Sequence, residues 1–161
     1  MRSTILLLLF IAAPALADKK ACVESGEKLY DAQPAMADIQ QAFRHCRPLA
    51  EAGDAEAQYY FASVHMFRTI SQPPANPVVE KWMKLSAENG YGKAQFYMAT
   101  VYRYGNALTP RDGQKMMDMY EKAAAQGVPP AMQALVELYG ARDPAKAQYW
   151  KERLERQRCC R

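Results

Sequence analysis

Apolar residues recur at helical spacing in paired segments along the chain, and turn residues separate the two segments of each pair. The clearest pair has apolar faces made by Ala94, Met98, Val101 and Tyr102 in the first segment and by Met116, Met119, Tyr120 and Ala123 in the second. Residues 105–110 between them contain Gly, Asn and Pro, which interrupt helices. We therefore predict helix-turn-helix hairpins, with Asp112 at the start of a second helix and Gly127 as its left-handed cap.

This hairpin pattern repeats along the chain with a fixed period. The anchors of the period are Gly53, Gly90 and Gly127, each 37 residues apart, and Ala57, Ala94 and Ala131 at the same spacing. A period of this size is the signature of stacked supersecondary units. The chain is therefore expected to form a helical array.

The repeat resembles the Sel-one-like repeat (SLR) family, which is related to the tetratricopeptide repeats. Residues 94–105, AQFYMATVYRYG, carry the resemblance together with Asp112, Lys115 and residues 119–127. It extends roughly from Asp38 to Leu154. The resemblance implies an all-α, right-handed α-solenoid of about three to four helical hairpins, and adaptor or scaffold work in multiprotein assemblies.

The first residues predict a secretory signal peptide. Arg2 precedes an apolar stretch over residues 5–13, and Ala-Leu-Ala at 15–17 stands before the charged Asp18. The apolar stretch is shorter than the about 20 residues that cross a bilayer. We expect a signal peptide at 1–17 cleaved after Ala17, a periplasmic repeat domain at 18–161, and no membrane insertion.

Four cysteines would follow the cleavage site, and an oxidising compartment favours disulfides between them. Three connectivities are open. The choice that is local in sequence joins Cys22 to Cys46 and leaves the adjacent Cys159 and Cys160, which could also cross-link two chains. We expect a monomer or a weak dimer.

The charge does not point to nucleic acid. The formal net charge is +4, and the basic residues stand mostly beside Glu and Asp on predicted helical faces. A nucleic-acid-binding chain would show clustered Lys and Arg interleaved with aromatic residues.

Candidate chemistry is sparse. His45 and His65 lack partners at metal-ligand spacing, and both stand where the repeat has an aromatic packing residue. The cysteines do not form a redox CxxC motif. The methionines at 116, 117 and 119 could hold copper(I), but packing explains them better. We predict no catalytic residue, no metal and no cofactor.

With no candidate catalytic or metal site, we look for function in the exposed surface of the predicted helices. Stacked hairpins form a curved array whose first helices line one side. Interface-prone residues at exposed positions of these helices are Tyr59, Tyr60, Met66, Phe67, Phe96, Tyr97, Arg103 and Tyr104. We predict that they bind another protein, such as a component of an envelope complex.

Two more specific roles, and a third in which the chain is a purely structural envelope protein without a discrete partner, stay open from the sequence. An immunity protein that neutralises a secreted toxic effector would fit the size and the predicted export. An enzyme that hydrolyses cell wall or β-lactams, as in cysteine-rich relatives of the SLR family, is the alternative. The chain departs from those relatives because it lacks a cysteine pair in every repeat.

Overall fold

The structure is a computed structural model that describes residues 18–68 and 76–159. These residues form eight α-helices in chain order: α1 Lys19–Glu27, α2 Met36–Glu51, α3 Ala55–Arg68, α4 Pro77–Glu88, α5 Gly92–Tyr104, α6 Gly113–Ala125, α7 Pro129–Tyr139 and α8 Pro144–Cys159. A 3-10 turn at Lys28–Tyr30 follows α1. The predicted signal peptide, residues 1–17, and Cys160 lie outside the described residues.

Each helix packs on the next one along the chain, and α1 also contacts α3. The helices therefore form four successive hairpins, α1 with α2 through to α7 with α8. This confirms the predicted all-α solenoid. Among the described residues, no helix is both long and apolar enough to span a bilayer.

The period of the sequence reappears in the backbone. Gly53, Gly90 and Gly127 have φ angles of 96°, 95° and 83°, in the left-handed region that side chains disfavour. Each glycine ends the second helix of a hairpin, as predicted for Gly127. Asp112 caps α6 as predicted, since its carboxylate accepts a hydrogen bond from the backbone N–H of Lys115 at 3.0 Å.

Neighbouring hairpins are joined by buried glutamine bridges, which also follow the period. The side-chain amide of Gln95 donates to the carbonyl of Ala87 at 3.2 Å, and its oxygen accepts from Gln126 at 2.7 Å. One repeat earlier, Gln58 accepts from Asn89 at 3.0 Å in the same way. These bonds satisfy polar groups between hairpins and so fix how the units stack.

A disulfide closes the first hairpin. Cys22 on α1 and Cys46 on α2 are bonded, with 4.7 Å between their Cα atoms, and both side chains are fully buried. This is the predicted sequence-local pairing. Cys159, near the end of α8, is an exposed free thiol.

Candidate protein-binding face

The first helices of successive hairpins present equivalent positions along the array. Tyr59 and Phe96 stand 37 residues apart, as do Met66 and Arg103, and Phe67 and Tyr104. These six residues, together with Tyr30, make up what we call the first-helix face. Tyr104 is 60% exposed, Tyr30 51% and Met66 36%, whereas the others are half-buried.

An aromatic cluster forms the end of this face nearest to α1. The Tyr30 ring stacks on Tyr59 with 6.2 Å between centroids and meets Phe67 edge-on at 5.9 Å. The Tyr30 hydroxyl lies 2.7 Å from the hydroxyls of both Tyr59 and Ser63. These bonds hold the exposed ring in one orientation, so little conformational entropy is lost when a partner covers it.

The cluster continues to Tyr91 in the turn before α5. The rings of Tyr59 and Tyr91 are 5.1 Å apart. Burial raises the pKa of both hydroxyls well above the usual value, and neighbouring tyrosines add to the shift. The Tyr91 hydroxyl donates a hydrogen bond to the Glu56 carboxylate at 3.3 Å, which holds this ring in place.

A cleft of about 490 Å³ lies between the aromatic cluster and the following repeats. Its walls are Tyr59, Tyr91, Phe96 and the turn at residues 126–130, and exposed Lys93 stands at its edge. The lining is mainly apolar, with one cation. Such a cleft can take an apolar side chain of a partner, with Lys93 available to an acidic group beside it.

The other end of the face consists of Arg103 and Tyr104. The Arg103 guanidinium lies 5.4 Å from the Tyr104 ring centroid, within cation–π distance. Tyr104 is the last residue of α5, and Gly105 ends the helix after it. Tyr104 therefore projects from a helix end where a partner can reach it, and Arg103 lies half-buried beside it.

Two predicted binding residues have different surroundings from the rest. Tyr60 is fully buried beside the Cys22–Cys46 bridge, so it cannot reach a partner, and the prediction is corrected at this position. Burial raises the pKa of Tyr60 to about 12. Tyr97 stands 37 residues after Tyr60 and is half-buried against the core cluster between hairpins that includes Met83.

Sequence reasoning missed Tyr30 and Tyr91. Tyr30 stands 37 residues before Phe67, so extending the period toward the N-terminus would have found it. Tyr91 lies in a turn, outside the helical positions that the sequence pattern ranks. The remaining predicted residues, which all lie on the first-helix face, stay a prediction as partner contacts.

The residues considered for metal chemistry take part in packing. His65 meets Phe61 edge-on at 4.8 Å and Phe43 at 6.1 Å, and burial lowers its pKa. The methionines at 116, 117 and 119 pack against the core of the last hairpins. The described part of the chain contains no group of three or more His, Cys, Asp or Glu residues placed to hold a metal ion.

Comparison with known proteins finds relatives both by sequence and by structure. No protein-family model matches the chain. An uncharacterized protein from Neisseria meningitidis serogroup B is 37% identical over 90 residues, which make up 53% of this chain and 16% of that protein.

A Sel1 repeat protein from Oxalobacter formigenes superposes with a TM-score of 0.64 at 25% identity, over 74% of this chain and 35% of that structure. A protective antigen with an SLR fold from uropathogenic Escherichia coli superposes with a TM-score of 0.65 at 22% identity, over 88% of this chain and 31% of that structure. This chain thus spans about a third of the length of the solved structures that it matches. The period, the stacked hairpins and these structural relatives together show that the chain has the SLR fold and support its resemblance to the Sel-one-like repeat family.

Proposed function

We propose that this protein is a protein-binding module that holds its partner on the first-helix face. The SLR fold suggests a protein–protein interaction module. The observation that carries the proposal is the row of aromatic side chains on one side of the array, from Tyr30 through the cleft to Tyr104. Tyrosine, methionine and arginine at exposed positions are the residue types that dominate binding energy at interfaces.

The arrangement suggests how the binding energy is divided. Tyr30 and Tyr104 are large, half-exposed rings at the two ends of the face, and the cleft between them can take an apolar side chain. Tyrosine loses little entropy when it is covered, because it has only two side-chain torsions. We expect these two rings to act as anchors and the half-buried rings to complete the fit.

The compartment belongs to the same proposal. The buried Cys22–Cys46 bridge fits an oxidising compartment, since such bonds are rare in the reducing cytosol. Together with the signal-peptide pattern of residues 1–17, it supports export to the periplasm, with 18–161 as the mature repeat domain.

The partner would then be another exported or envelope protein. An adaptor in an envelope complex and an immunity protein bound to a secreted toxic effector both use a surface of this kind. The two roles differ in what the partner does when it is released. An effector freed from the protein would be toxic in the periplasm, whereas loss of an adaptor would leave a complex incomplete.

The test is affinity purification from periplasmic extract with wild type, Tyr104→Ala and Tyr149→Ala. Tyr149 is the matched control, because it is a 49%-exposed tyrosine on α8, outside the first-helix face. We expect wild type and Tyr149→Ala to recover the same partner. Titration of that partner should show a Kd about tenfold higher for Tyr104→Ala, which corresponds to about 1.4 kcal/mol.

If wild type, Tyr104→Ala and Tyr149→Ala bind the partner equally well, the first-helix face is not the binding site. Turnover of cell-wall fragments or of a chromogenic β-lactam by the purified protein would instead support the enzyme alternative. Absence of any discrete partner would point to a purely structural role.

A further inference from the structure

A second surface lies along the exposed side of α2 and the end of α3. It is a groove of about 510 Å³ whose wall includes Met36, Ile39, Phe43, Arg44, Arg47 and Arg68. We call it the arginine groove. None of these residues belongs to the first-helix face.

Phe43 forms the apolar floor of the arginine groove and orders two of its cations. The guanidinium carbons of Arg68 and Arg47 lie 5.5 Å and 5.9 Å from the Phe43 ring centroid, within cation–π distance. Guanidinium groups held against a ring present a planar, partly desolvated set of donors. Met36 is 65% exposed at the end of the groove and adds apolar surface.

The charge in the groove is strongly unbalanced. Arg47 pairs with Glu51 at 2.8 Å, and this carboxylate offsets one of the three guanidinium groups. Asp38 lies on the same helix, but its carboxylate accepts a hydrogen bond from the backbone N–H of Ala35 at the start of α2. Arg44 and Arg68 are both exposed, so the groove carries an excess of positive charge.

We propose that the arginine groove binds an acidic segment of a partner protein, in which carboxylates alternate with apolar side chains. Carboxylates would meet Arg44 and Arg68 through paired N–H donors, which match carboxylate geometry. An apolar side chain between them would cover Phe43. The site is separate from the first-helix face, so the protein would hold two segments at once.

The shape and the sequence favour this occupant over others. A groove encloses an extended chain, whereas a membrane-surface site buries an exposed apolar helix face in the interface between headgroups and acyl chains. The chain's own segment 69–75, which follows Arg68, contains no Asp or Glu and cannot supply the complementary charge. A separate acidic segment meets both requirements.

The experiment measures fluorescence anisotropy of a short labelled peptide in which glutamate alternates with leucine. The variant is Arg44→Glu/Arg68→Glu. The matched control is Arg156→Glu/Arg158→Glu, which makes the same charge change at two exposed positions of α8, in the last hairpin. Circular dichroism and thermal melting of all three proteins confirm that they are folded.

We expect wild type and the α8 control to bind the peptide, and the groove variant to bind about tenfold more weakly or worse. A peptide with glutamine in place of glutamate should bind none of them well, and added salt should weaken the interaction. No binding by wild type, or equal loss in both variants, would overturn the proposal. Groove-dependent binding to phosphatidylglycerol vesicles, or groove-dependent self-association in size-exclusion chromatography, would overturn it in favour of a membrane or a second copy.

Discussion

Gly26 allows the ring of Tyr60 to lie directly against the backbone of α1. A Cβ atom at position 26 would stand 2.3 Å from two atoms of that ring, far inside van der Waals contact. Tyr60 is fully buried, so its ring could move away from α1 only within the protein interior. One missing methyl group therefore sets how closely the first hairpin approaches α3.

We expect Gly26→Ala to lower the free energy of unfolding by about 2 kcal/mol, because overpacking a core costs about 1–3 kcal/mol. Gly113→Ala is the control, since nothing lies within 4 Å of a Cβ at the first residue of α6. That control should be neutral or gain up to about 1 kcal/mol through lower entropy of the unfolded chain. Urea denaturation of wild type, Gly26→Ala and Gly113→Ala measures the change in the free energy of unfolding for both variants. A Gly26→Ala midpoint equal to that of wild type would contradict the close contact between Gly26 and Tyr60.

The residue scale also shows where sequence reasoning reached its limit. Tyr60 and Tyr97 were grouped with exposed residues because tyrosine suits both interfaces and cores. In a stacked array, each first helix touches its own hairpin and its neighbours, so only a narrow strip of its surface is free. Successive residues such as Phe96 and Tyr97 differ by about 100° around the helix axis. Phe96 therefore lies on the first-helix face, whereas Tyr97 lies on the side of the helix that packs in the core.

At the scale of the element, the glutamine bridges determine how one hairpin rests on the next. Gln95 is 5% exposed and bonds to both Ala87 and Gln126. We expect Gln95→Ala to cost about 2 kcal/mol, since it removes two hydrogen bonds between or within hairpins and each contributes about 1 kcal/mol. Gln114→Ala, which removes an exposed bond to Asp118, should cost less than about 0.5 kcal/mol.

Denaturation midpoints of the two glutamine variants provide the measurement. Equal losses of stability in the two variants would mean that the buried glutamine bridge contributes no more than a surface hydrogen bond.

The glutamine bridges were not predicted from the sequence, although Gln58 and Gln95 are 37 residues apart and so share the period. The helix ends were more predictable, because a left-handed glycine and a capping aspartate are local signals.

At the scale of the whole molecule, the Cys22–Cys46 disulfide links α1 to α2 and so closes the first described hairpin. Closing the loop between Cys22 and Cys46, 24 residues apart, should contribute about 3 kcal/mol by restricting the unfolded chain. We expect a Cys22→Ala/Cys46→Ala variant to lose about this amount in urea denaturation. Cys159→Ser, at an exposed free thiol, should leave stability unchanged.

If dithiothreitol shifts the urea denaturation midpoint of wild type and of the Cys22→Ala/Cys46→Ala variant equally, the stabilisation does not come from the disulfide.

The helical array itself could be predicted from the sequence, because a period anchored on Gly53, Gly90 and Gly127 leaves few other folds. The position of the candidate face along that array could be predicted only in part. Contacts such as that between Tyr30 and Tyr59 join residues whose proximity no single helical pattern encodes.

The Cys22–Cys46 bridge also makes the described hairpins unequal. In a stacked array each hairpin contacts mainly its neighbours, so a single hairpin can open locally. The first hairpin is covalently closed, whereas the hairpin of α5 and α6 is held by packing. Local opening should therefore loosen the support of Tyr104 on α5 before that of Tyr30 beside the bridged hairpin. A partner held at both rings would be released first at Tyr104 and then at Tyr30.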